Sequence, residues 1–117
     1  TIIHSLDGYD EISLTGDIKV ITNAGEKIYS AEDLGKRTVN PMDIHGGNSV
    51  EEAARIFLSI LKGAGSWAQN AVVLANAAME LQCTGIYASY DECYQMTVES
   101  LESGRAYQNL KKLTGRQ

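Results

Sequence analysis

Apolar and polar positions follow two different periods along this chain. Up to about residue 48 the apolar residues occur in short runs or with a period of two, which is typical of β-strands. The pattern predicts a short buried strand at residues 1–4 and a half-buried strand at residues 11–15. It also predicts a hairpin that pairs residues 19–22 with residues 27–29, with Asn and Gly in its turn. Residues 30–35 and 40–44 each predict one helical turn, and Pro41 suits the first position of the second one.

From residue 49 onward the spacing becomes helical. Ser49 and Ser89 are each followed three residues later by a glutamate, which is the capping-box pattern of a helix N-terminus, and Ser66 suits the same role. Residues 71–79 are apolar on nearly every face, so we expect the helix from Ser66 towards Gly85 to be buried on all sides. In the other helices the residues expected to face inward are Ala53, Ile56, Phe57, Ile60 and Leu61, then Tyr94, Val98 and Leu101, then Leu110 and Leu113.

Composition narrows the class of protein. The chain has 117 residues, of which 44% are hydrophobic and 21% charged, as in one globular domain. Its net charge of −5, with scattered Lys and Arg, argues against binding to nucleic acid, which relies on a basic patch. No apolar run approaches the roughly 20 residues that cross a bilayer, and no signal-peptide pattern is present, so we expect no membrane association. Cys83 and Cys93 are expected to be free thiols in a reducing, cytoplasmic setting.

Candidate chemistry is concentrated near the start of the chain. Asp7, Asp10 and Glu11 surround Gly8 directly after an apolar pair, which predicts a turn at a strand end that carries three carboxylates. Carboxylate oxygens are the ligands that Mg²⁺ prefers, often together with substrate phosphates. The spacing alone also fits a solvated acidic turn, and Asp7 suits an Asx-type bond before Gly8 as well as it suits an ion. His4 at the strand end is expected to be structural.

One polar residue interrupts the apolar helix. Asn76 stands among alanines and valines, and a buried amide must find hydrogen-bond partners, so we expect it to bond to backbone.

The segment at residues 4–16, His-Ser-Leu-Asp-Gly-Tyr-Asp-Glu-Ile-Ser-Leu-Thr-Gly, resembles the His-Gly-x-Asp-Gly-Leu-Asp-Glu segment of anthranilate phosphoribosyltransferases. The resemblance continues in order through Asp33-Leu34-Gly35, Gly46-Gly47, residues 70–78 and Leu101-Glu102-Ser103-Gly104, and so covers nearly the whole chain. Two departures stand in the acidic segment: Ser5 replaces the usual Gly and Tyr9 the usual Leu. Neither removes a carboxylate, although both affect the expected backbone geometry.

The resemblance implies an α/β fold with a strand-rich N-terminal third that contains a β-hairpin, followed by a helical, bundle-like C-terminal part. Residues 1–117 would then form the C-terminal part of one catalytic domain of the nucleoside phosphorylase/phosphoribosyltransferase fold, with strands and loops at 1–48 and helices at 49–117. It also implies that Asp10 and Glu11 bind the Mg²⁺ that accompanies phosphoribosyl pyrophosphate. The implied reaction is transfer of phosphoribosyl to anthranilate in tryptophan biosynthesis, by an enzyme that is commonly a homodimer.

The family's other functional segments are missing from these residues. Its Gly-Thr-Gly-Gly-Asp loop, its Lys-His-Gly-Asn segment and its anthranilate-binding arginine lie upstream in the family and do not occur in this sequence. We therefore assign no catalytic residue here, and we expect the 117 residues alone to be inactive. No Ser-His-Asp or Cys-His set can be assembled either.

Three other interpretations stay open from the sequence. A pyrimidine nucleoside phosphorylase would share the fold but use inorganic phosphate, with less need for two metal-binding acids. A non-catalytic relative would bind a protein or nucleic-acid partner. The chain could also pair with a second copy through exposed faces of the helix at residues 66–84.

Overall fold

The computed structural model describes residues 1–35 and 37–115. Within these ranges the first part of the chain carries the strands and the second part is helical, as predicted. The strands are β1 (Ile2–Ser5), β2 (Ile18–Thr22) and β3 (Gly25–Tyr29). The helices are α1 (Ala31–Gly35), a 3-10 turn (Pro41–Ile44), α2 (Val50–Leu61), α3 (Trp67–Cys83), α4 (Tyr90–Glu102) and α5 (Arg105–Leu113).

The three strands form an antiparallel meander in the order β1-β2-β3. Ser5 pairs with Ile18 at one end of the first ladder, and Thr22 pairs with Gly25 across the tight turn of the predicted hairpin. Gly25 has φ of +124°, a conformation that glycine adopts without strain. Ile18 and Val20 of the central strand are buried, so the sheet places one face on the core.

The predicted strand at residues 11–15 is wrong. Ile12, Ser13 and Leu14 are buried one after another instead of alternating, and the segment pairs with none of the three described strands. Leu14 has φ of 61°, which breaks any extended run, and its carbonyl accepts a hydrogen bond from the Val39 N–H. The backbone of this segment is instead bonded by side chains, chiefly that of Asn76.

The predicted helix starts are confirmed by their caps. The hydroxyls of Ser49, Ser66 and Ser89 each accept a hydrogen bond from the backbone N–H three residues later. At Ser66 the bond is reciprocated by Gln69, whose side chain accepts from the Ser66 N–H at 2.9 Å. Pro41 occupies the first turn of its short helix, capped by Asn40.

The core lies between the sheet, the segment at residues 12–14 and one face of α3. Small residues on that face, Ala71 and Ala75, let the helix approach closely, while larger side chains fill the rest of the space. The larger members of the cluster are Ile12, Leu14, Ile18, Val20, Leu34, Val39 and Met79.

Several helix faces are more exposed than the periodicity predicts. Val73 on α3 is 37% exposed, so the expectation that this helix is buried on all sides is wrong within the described residues. Phe57 is 52% exposed and Leu113 85% exposed, although both were expected to face inward.

On α2 the buried residue is Ile60. On α4 the buried residues are Cys93, Thr97 and Leu101, so the inward face is turned slightly from the predicted one. The described elements cover one side of these helices and leave the other side open.

Candidate functional site

The acidic turn (residues 6–11) leaves the end of β1 and folds back on Ser5. The Ser5 N–H donates to the Tyr9 carbonyl at 3.1 Å, and the Gly8 N–H donates to the Ser5 carbonyl at 3.0 Å. Gly8 has φ of +108°, a conformation that suits glycine in this turn. The Leu6 N–H donates to the Asp17 carbonyl at 2.9 Å, so the turn is also tied to the entry of β2.

Asp7 stabilises the turn through a side-chain bond. Its carboxylate accepts a hydrogen bond from the Thr15 hydroxyl, whose oxygen lies 2.7 Å from that of Ser13. This carboxylate is therefore used within the protein, through Thr15 rather than through the Asx-type bond considered from the sequence.

The amide of Asn76, half-buried on α3, bonds to backbone, as predicted. Its Oδ1 accepts from the Ile12 N–H at 3.0 Å, and its Nδ2 donates to the carbonyls of Ile12 and Val72, each at 2.8 Å. The segment that follows the acidic turn is thereby attached directly to α3. No strand partner is needed for Ile12, because the amide supplies both of its hydrogen bonds.

Asp10 and Glu11 differ from Asp7 in having free carboxylates. Both residues are exposed, and neither carboxylate takes part in the hydrogen bonds or ion pairs found among residues 1–35 and 37–115. Two adjacent hard oxygen donors that face water suit Mg²⁺, which binds through one or two carboxylates and completes its shell with waters and phosphate oxygens. The described residues contain no cluster of three or more His, Cys, Asp or Glu side chains placed to hold a metal. The donor set therefore fits an ion shared with a phosphate ligand, and does not fit a closed protein cage.

A cleft of about 460 Å³ opens beside the turn, between Glu11 and the exposed face of α3. Its lining includes Tyr9, Asn76 and Glu80. Glu80 was not singled out from the sequence, although it stands four positions after Asn76 and so shares its helix face. Tyr9, one of the two departures from the resembled family, lies at the edge of this cleft and is 39% exposed.

Other residues considered from the sequence lie outside this site. His4 is exposed on β1, opposite Lys19. Gly47, part of the Gly46-Gly47 pair in the resemblance, donates its N–H to the imidazole of His45, in a loop that precedes α2. Cys83 and Cys93 are free thiols, as predicted, the first exposed and the second buried. Across the described ranges, each helix falls short of the length and apolar character that a membrane span requires.

Comparison with known proteins identifies the family to which this fold belongs. Residues 1–107 match the family model described as "Glycosyl transferase family, a/b domain". The chain belongs to this glycosyl transferase family. The match covers the strands, the acidic turn and nearly all the helices, so the site described above lies inside the family's α/β domain.

Relatives in the glycosyl transferase family support the resemblance seen in the sequence. The chain is 52% identical over 97% of its length to a protein of Christiangramia forsetii named anthranilate phosphoribosyltransferase, and 46% identical over 95% to one of the same name from Bacteroides fragilis. The crystal structure of anthranilate phosphoribosyltransferase from Thermus thermophilus superposes with a TM-score of 0.81, at 27% identity, over 94% of this chain. The chain spans 34% of each of those two relatives and 33% of the solved chain.

Proposed function

We propose that the protein carrying this chain is an anthranilate phosphoribosyltransferase, which transfers a phosphoribosyl group from phosphoribosyl pyrophosphate to the amino nitrogen of anthranilate in tryptophan biosynthesis. The observation that carries the proposal is the 52% identity, over 97% of the chain, to a relative of that name. The free acid pair after the end of β1 supports it, because a reaction that releases pyrophosphate calls for a cation at the phosphates.

In this proposal Asp10 and Glu11 hold Mg²⁺. The ion, when bound, neutralises negative charge that develops on the departing pyrophosphate. Both carboxylates are exposed and unpaired, so binding an ion breaks no bond already made within the described residues. The Asp7 carboxylate keeps its hydrogen bond from the Thr15 hydroxyl, which stabilises the turn.

The proposed transfer requires no covalent nucleophile. The anomeric carbon of the sugar becomes cationic as pyrophosphate departs, so the protein must position two reactants and stabilise charge, and needs no covalent intermediate. The residues of this chain supply the part that faces the phosphates. Homodimer formation and a cytoplasmic location are further parts of the proposal, carried over from the family resemblance.

The test is turnover by the full-length protein, followed through the loss of anthranilate fluorescence on addition of phosphoribosyl pyrophosphate and Mg²⁺. We expect Asp10→Asn and Glu11→Gln each to lower kcat/KM by about 100-fold, which corresponds to roughly 3 kcal/mol of lost transition-state stabilisation. Glu102→Gln on α4 removes the same charge from another exposed position, and we expect it to leave turnover unchanged.

Two results would overturn the proposal. One is turnover that continues undiminished in EDTA or in the Asp10→Asn variant, which would overturn the part of the proposal that gives Mg²⁺ and the acid pair a role. The other is phosphate-dependent cleavage of a pyrimidine nucleoside without any transfer to anthranilate, which would make the protein a nucleoside phosphorylase.

A further inference from the structure

Two successive peptide groups beside the acid pair are bonded at both ends by the same two side chains. In the peptide between Glu11 and Ile12, the carbonyl accepts from the Ser5 hydroxyl at 2.5 Å and the N–H donates to Asn76 Oδ1 at 3.0 Å. In the peptide between Ile12 and Ser13, the carbonyl accepts from Asn76 Nδ2 at 2.8 Å and the N–H donates to Ser5 Oγ at 3.3 Å. We call these four bonds the Ser5–Asn76 clamp.

The clamp is buried at its serine end and half-buried at Asn76, and its two side chains are themselves held. Ser5 is fully buried, and Ser13 is 3% exposed. The amide of Asn76 is oriented by its third bond, to the Val72 carbonyl of its own helix. The hydroxyl of Ser5 has one proton, which it donates to Glu11, and so its oxygen is left to accept from Ser13.

Clamping these peptides restricts the backbone that carries the acids. A peptide group is a rigid plane, so fixing two consecutive planes fixes the dihedral angles between them and the direction in which the chain leaves Glu11. The other end of the acidic turn is bonded to the backbone of the same residue, Ser5, through Tyr9 and Gly8. Ser5 therefore holds the turn before and after the acid pair.

We propose that Ser5 and Asn76 are positioning residues for the Mg²⁺ site: they do not touch the ion, but they hold Asp10 and Glu11 where both carboxylates can reach it. This inference rests on the proposed function, because it assigns a purpose to the geometry of that site. Two adjacent carboxylates repel each other when no cation is bound. Because the clamp holds the turn in place, the free energy of folding offsets this repulsion before any ion binds. The clamp therefore raises metal affinity through preorganisation.

The test is metal binding by the full-length protein, measured by the EPR signal of free Mn²⁺ in the presence of inorganic pyrophosphate. Ser5→Ala removes the hydroxyl and leaves the Glu11 carbonyl without its donor. We expect the dissociation constant for Mn²⁺ to rise by about tenfold or more, which is the usual effect of removing a group that orients a metal ligand. Should Ser5→Ala fail to fold, Ser5→Cys fills the same space but donates only weakly through its thiol, and we expect a rise in the same direction.

Ser49→Ala is the matched control. It also removes a serine hydroxyl that bonds to backbone, at the N-cap of α2, where its loss destabilises the helix start. A purely structural effect would raise the dissociation constant for Mn²⁺ to a similar extent in both variants. The clamp predicts instead that Ser49→Ala binds Mn²⁺ as the wild type does.

Asp10→Asn and Glu11→Gln separate the two proposals. If neither weakens Mn²⁺ binding, the metal site itself is wrong, and the proposed role of these acids falls with it. If both weaken binding while a folded Ser5 variant binds as tightly as the wild type, the site stands and the clamp proposal is wrong.

Discussion

At the scale of single residues, Tyr90 shows how burial and one hydrogen bond change a side chain's chemistry. Its hydroxyl donates to the Leu34 carbonyl at 2.7 Å, which joins the start of α4 to α1. Burial, with a smaller contribution from the neighbouring Tyr94, raises the pKa of Tyr90 well above its ordinary value. Above about pH 10 the unfolded chain loses this proton while the folded protein keeps it, so the stability from Tyr90 is complete below that pH and is lost as the pH rises.

Tyr90→Phe tests this linkage. At pH 8 we expect the variant to be less stable by about 1 kcal/mol, the value of one hydrogen bond, in urea unfolding. At pH 11 the difference in free energy of unfolding between the wild type and the variant should be smaller, because the wild type alone loses the Tyr90 contribution. A gap of equal size at both pH values would contradict the raised pKa as a factor in stability.

Single residues also show what the sequence can and cannot reveal. A lone amide within an apolar run is a strong signal, and the backbone bonds predicted for Asn76 are confirmed. The partner of that amide, Ile12, lies 64 positions away, and no local pattern names it. For the same reason the sequence indicated that Ser5 affects the local backbone geometry but could not name the bonds of its hydroxyl, which are to the backbone of Glu11 and Ser13.

At the scale of elements, the short helix α1 is held by close packing at its last residue. Gly35 is buried, and a Cβ placed there would lie 2.9 Å from Leu14 Cδ2 and 3.1 Å from Leu14 Cγ. Leu14 is fully buried with φ of 61°, so it cannot easily move aside. Gly35→Ala should therefore cost about 1–3 kcal/mol from overpacking, more than the roughly 0.5–1 kcal/mol that alanine gains in a helix.

The comparison that isolates this effect is Gly46→Ala. Gly46 has open space around the same added atom and does not have a positive φ. Urea midpoints of the two variants should differ, with Gly35→Ala clearly lower and Gly46→Ala close to the wild type. Equal midpoints would show that α1 tolerates a shift away from Leu14.

Elements were predictable where their signals are local. The cap serines, the hairpin turn and Pro41 each act within a few residues, and each is confirmed. The predicted strand at 11–15 was wrong because alternating Ile12 and Leu14 imitate a half-buried strand, while the real hydrogen-bond partners come from α3 and from Ser5. Helical spacing located α2 correctly but could not show that Phe57 would remain half exposed, since periodicity identifies an apolar face and not what covers it.

At the scale of the whole molecule, the prediction concerns what the 117 residues can do alone. They hold the acid pair and the elements that position it, and they span about a third of the relatives they match. The glycine-rich phosphate loop and the anthranilate-binding arginine of the resembled family do not occur among them. A phosphoribosyl transfer needs both reactants held in register, and that contribution is worth about 7–11 kcal/mol of the barrier.

We therefore expect the isolated chain, purified from a host without its own enzyme, to give no detectable loss of anthranilate fluorescence, while the full-length protein does. Turnover by the isolated chain would mean that its own residues bind both substrates, and the cleft beside Glu11 would then be the first place to look for the acceptor.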